Sequence, residues 1–76
     1  MNNARRKELA AVAETLSQCR DELERLRDEE QDYFDNMPEG IQMSEKGDRA
    51  EEVISQLDEA VDSLEAVADA ITEAQA

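Results

Sequence analysis

The sequence predicts an all-α fold: an antiparallel two-helix hairpin of coiled-coil type that dimerises into a four-helix bundle. Three observations predict it. Two long stretches repeat apolar residues at helical spacing. The unusual residues (the one Pro, both Gly, the one Tyr and the one Phe) all lie between Asp32 and Ala50, where a turn belongs. Base is concentrated at the start of the chain and acid at its end, which favours a chain that folds back on itself.

In the first stretch, Leu9, Val12, Leu16, Cys19, Leu23, Leu26, Glu30, Tyr33 and Met37 alternate steps of 3 and 4. That is an a/d seam held for about four heptads. The residues between are good helix formers, and no Gly or Pro occurs before Pro38. A helix is expected over about 4–34, roughly 45 Å long at ~1.5 Å per residue. Asn2 or Asn3 is its expected cap. Cys19, at a seam position, is expected as a small buried hydrophobe. Glu30 interrupts the seam; it either reaches out to water, fixes register, or pairs with Arg27, Lys46 or Arg49.

A turn follows over about 35–43. Pro38 disfavours helical backbone at Met37, and Gly40 permits a positive φ. The second helix is expected over about 44–73, with Ser44 favoured as its N-cap and Asp48 with Glu51 as the alternative capping box. Gly47 then falls in its first turn as a weak point. Ala50, Ile54, Leu57, Val61, Leu64, Ala68 and Ile71 form its seam, and Val53, Ala60, Val67 and Ala74 add a third apolar row. A stripe that wide fits a helix with more than one neighbour, and a second hairpin supplies the missing one. The whole of 1–76 is read as one domain and as a homodimer.

With 21 Asp plus Glu against eight Lys plus Arg, the net charge is −13, which disfavours direct binding to nucleic acid or an anionic membrane. No apolar run is long enough to span a bilayer. The start, MNNARRKELAAVAETL, lacks an apolar h-region and a cleavage site, so no signal peptide is expected. One Cys and no possible internal disulfide are consistent with the cytoplasm. Without His, neither a zinc site nor a Ser-His or Cys-His nucleophile is expected. A Mg²⁺ site drawn from Asp28, Glu29, Glu30 and Asp32 with Glu51, Glu52, Asp58 and Asp62 lacks a clear paired acidic motif, and no cofactor is expected.

Two regions are candidates for recognition. At the turn, the apolar residues Tyr33, Phe34, Met37, Ile41 and Met43 either close the bundle end or face out as a recognition surface; Tyr33, Phe34, Met37 and Ile41 are the partner-binding candidates, with Arg49 as a charged helper. Phe34 falls outside the seam spacing and is the expected anchor. On the second helix, Asp58, Asp62, Glu65, Asp69 and Glu73 form an acidic stripe with neighbours ~5–6 Å apart. Such a rod is either an ordinary solvated face or an imitation of the phosphate spacing of DNA.

The segment DEEQDYFDNMPEGIQMSEKGDRAEE, residues 28–52, resembles a group of small acidic helical proteins from bacteriophages and their bacterial hosts that carry a YFDNMPE turn. The resemblance implies a phage-type accessory protein acting in the host cytoplasm. It brings no catalytic residue. The expected function is therefore non-enzymatic: binding and inhibiting a host protein, one of antiviral defence, through the turn end and the acidic faces. Two alternatives remain open, an oligomer that sequesters a nucleotide at the turn end and an acidic DNA mimic.

Overall fold

A computed structural model describes all residues, Met1 to Ala76, as two long antiparallel helices joined through a single helical turn. Helix α1 spans Asn3–Asp35, α2 spans Glu39–Gln42 and α3 spans Glu45–Gln75. Asn2 caps α1, its side chain accepting from the backbone N–H of Arg5 at 2.7 Å. At the far end Asn36 closes the helix from both its backbone N–H and its side-chain amide, each donating to the Asp32 carbonyl. Pro38, with ψ near 148°, then turns the chain out of helical geometry.

The expected turn is thus not a plain loop. Ile41 and Gln42 both donate to the Pro38 carbonyl, and Met43 donates to Glu39, so the connection winds into α2. Ser44 is the boundary of α3, but its hydroxyl donates backward to the Ile41 carbonyl and caps nothing. The Asp48–Glu51 alternative is overturned, because the Asp48 N–H donates to Ser44 within an α3 already under way. No residue has a positive φ, so Gly40 does not use the freedom expected of it.

Gly47 matters for a different reason. It is buried, and a Cβ there would overlap the carbonyl oxygen, carbonyl carbon and Cα of Gln42. The absent side chain is what lets the end of α2 seat on the first turn of α3. Gln42 completes this joint by donating its side-chain amide to the Phe34 carbonyl at 2.9 Å. Met37, Gly47, Ala50 and Ile54 are all buried, so the tightest packing sits at the turn end; Val61 is the only other buried residue.

Along α1, the half-buried positions are Leu9, Ala13, Leu16, Arg20, Leu23, Arg27, Glu30 and Phe34, with Glu24 and Gln31 beside them. The leucine row agrees with the sequence reading, but the second row lies one residue further on. Val12, Cys19, Leu26 and Tyr33 are exposed along the edge of the seam instead of buried in it. Cys19 is accordingly a free thiol at the surface, not a core residue. Glu30 takes the solvent-reaching option: it is half-buried, makes no ion pair, and leaves no buried carboxylate oxygen without a partner. Along α3, Leu57, Leu64, Ala68 and Ile71 continue the expected seam.

The result is a rod of 58 × 14 × 12 Å. Its radius of gyration, 17.3 Å, compares with about 11 Å for a compact domain of this length.

Candidate interaction surfaces

The hairpin encloses no cavity, so the functional groups are surfaces. The first is a charged flank. Arg20 on α1 donates through Nε to Glu65 on α3 at 2.6 Å and through Nη1 to Glu24 at 3.1 Å. One heptad toward the turn, Arg27 donates to Asp58 at 2.8 Å. Hydrogen bonding to Glu65 holds the Arg20 guanidinium above its ordinary pKa, and Asp58 does the same for Arg27; partial desolvation opposes both. The side chains of these arginines are only 31% and 28% exposed, the pattern of long stems covering apolar surface while the heads reach the rim. They therefore act as seam residues that a count of apolar positions misses.

These pairs divide the acidic stripe. Asp58 and Glu65 are neutralised from α1, whereas Asp62, Asp69 and Glu73 are exposed without an ion pair. Glu24, Arg27, Asp28, Asp58, Asp62 and Glu65 surround Val61 in a shallow groove on this flank. No three acidic side chains converge as a metal site requires. On the outer side of α1, Arg25 bridges Glu22 and Glu29, the latter at 2.7 Å. The Arg25 hydrogen bond pushes the Glu22 carboxyl below the usual carboxylate range.

The second surface is the turn end, where the five expected recognition residues separate. Met37 is buried and Phe34 half-buried, facing α3 on the same row as Arg20 and Arg27. Tyr33 is the exposed aromatic, reversing the expected order of the two. Its ring lies 5.6 Å from Lys46 Nζ, within cation–π range. Ile41 is exposed, and Met43 does not fold back over Tyr33: it is the most exposed large apolar residue of the chain at 79%. Arg49 is exposed and pairs only with Glu52, at 3.2 Å.

No helix is long and apolar enough to cross a membrane. Comparison with known proteins finds no matching family model, no similar curated protein and no similar solved structure.

Proposed function

We propose that this chain is a non-enzymatic protein-interaction module that works as a homodimer, with its turn end presented to a partner protein. One observation carries the reading. Only five of the 76 residues are buried, while Met1, Val12, Leu26, Tyr33, Ile41, Met43 and Val67 stand exposed on a rod without an enclosed site. Exposed apolar groups rimmed by charge suit protein contacts, and nothing in the hairpin surrounds a small substrate. At the turn end, Ile41 and Met43 provide the apolar contact, and Asp32, Asp35, Glu39 and Glu45 select a partner with a basic rim. The biological role that fits is inhibition of a host protein by a phage-type accessory protein; the YFDNMPE turn resemblance supports it.

The test pairs binding with melting. Wild-type protein is used to capture its partner from host lysate, and Ile41→Ser and Met43→Ser are compared with it. Loss of capture with unchanged melting supports the turn end as the contact. Equal capture by the variants refutes it. A nucleotide-dependent rise in melting temperature without capture replaces this reading with sequestration.

A further inference from the structure

The Tyr33–Lys46 contact fixes which residues share a flank. Stepping back seven residues from Tyr33 and forward seven from Lys46 places Leu26 beside Val53, then Cys19 beside Ala60, then Val12 beside Val67. The Arg20–Glu65 and Arg27–Asp58 bridges lie on the other flank, across the leucine row of α1. The hairpin thus has two unlike long faces. One is clamped by ions. The other carries two parallel apolar rows over about 32 Å from Val12 to Tyr33 at ~1.5 Å per residue, and no acidic residue lies in either row despite a net charge of −13.

We infer that this Val12–Leu26–Tyr33/Val53–Val67 face is the surface on which a second copy of the chain sits. The inference rests on the homodimer reading above and names its interface. Three features select a second copy. The rows repeat in heptad layers on two antiparallel helices, so an identical hairpin laid face to face continues the same layers as the core of a four-helix bundle. The surface leaves room for it: the hairpin as a whole exposes 5436 Å², about 700 Å² more than a compact monomer of its mass, and a standard interface removes ~800 Å² from each partner. Local charge offsets part of the repulsion between two copies of charge −13: Arg5 continues the α1 row at one end and Lys46 the α3 row at the other, neither is held in an ion pair, and acid on the second copy can pair with both.

The experiment uses Leu26→Asp and the reactivity of Cys19. Leu26 is already 40% exposed in the hairpin, so a carboxylate there leaves the α1–α3 seam in place. The expected result is a dimeric wild type by sedimentation equilibrium and a variant of full helicity whose dimer dissociation constant rises at least about 30-fold, as for a central anchor. In parallel, Cys19 of the wild type should react with a maleimide more slowly as protein concentration rises through the dimer range. If Leu26→Asp loses helicity, the Cys19 rate decides. A dimer in which Cys19 reacts as fast as in dilute monomer overturns this face and leaves the homodimer standing. A monomer at every concentration overturns both.

Discussion

Replacing Gly47 with alanine tests the closest approach in the fold. In most helices this exchange is favourable, since alanine exceeds glycine in helix propensity by about 1 kcal/mol. Here the new methyl group would fall on three backbone atoms of Gln42. None of them can rotate aside, so α2 must lift from α3. That movement strains the Gln42–Phe34 hydrogen bond and loosens Met37 and Ala50, both buried next to the joint. Overpacking of this kind costs about 1–3 kcal/mol or more, which exceeds the propensity gain. A net loss of roughly 1–2 kcal/mol corresponds to about 4–16 °C in melting temperature for a chain of this size. Gly40→Ala is the matched control. It lies in α2 with nothing within 4 Å of its Cβ position and with φ in the ordinary range, so it should gain about 0.4–1 kcal/mol. Both are read by circular dichroism melting at one fixed protein concentration, because the proposed self-association would make the midpoint concentration-dependent. If Gly47→Ala melts at or above wild type, the seating of α2 on α3 described above is wrong.

Other outcomes follow from the same packing. Ile54→Ala removes a buried side chain from the small core and should cost about 2–5 kcal/mol, read from urea unfolding; a loss under 1 kcal/mol contradicts its placement. Glu22 has a carboxyl whose pKa is depressed by Arg25, so its contribution is present above the unfolded-state pKa and is lost as pH falls through the folded value. Glu22→Gln should therefore melt below wild type at neutral pH, and the gap should close in acid. Salt should strengthen self-association, because screening relieves repulsion between two chains of charge −13; sedimentation at low and at ~1 M NaCl measures the change.

Much of the fold is legible in the sequence. The leucine row Leu9, Leu16, Leu23 and the α3 seam Ala50 to Ile71 follow from heptad spacing alone. The boundaries near Asn2 and Pro38 follow from capping and proline chemistry. What periodicity could not decide was which of two rows beside the leucines faces α3. Val12, Cys19, Leu26 and Tyr33 are the more apolar row, and spacing alone assigns them to the seam. Arg20 and Arg27 take that place because each has a carboxylate waiting across the pair, and their stems cover the core. The apolar row is thereby left exposed, and Tyr33 and Phe34 exchange their expected positions. Gly47 was illegible for a related reason. A glycine early in a helix reads as a local weakness, and only the position of α2 reveals that it makes room for another backbone.

The placement of nearly all buried residues at one end has a kinetic meaning. Met37, Gly47, Ala50 and Ile54 meet across the shortest chain separations in the hairpin, where closing the loop costs least entropy. Pairing can therefore start at α2 and proceed like a zip toward the termini, with contacts of steadily growing sequence separation. Beyond Val61 the seam is only half-covered, and Arg5, Arg6 and Lys7 are not locked to α3 by any ion pair. Amide hydrogen exchange should then be graded along the rod, slowest around Ile54 and fastest toward Asn3 and Gln75. The chain holds itself shut at one end and frays from the other, so the order of its opening is written into the position of a single helical turn.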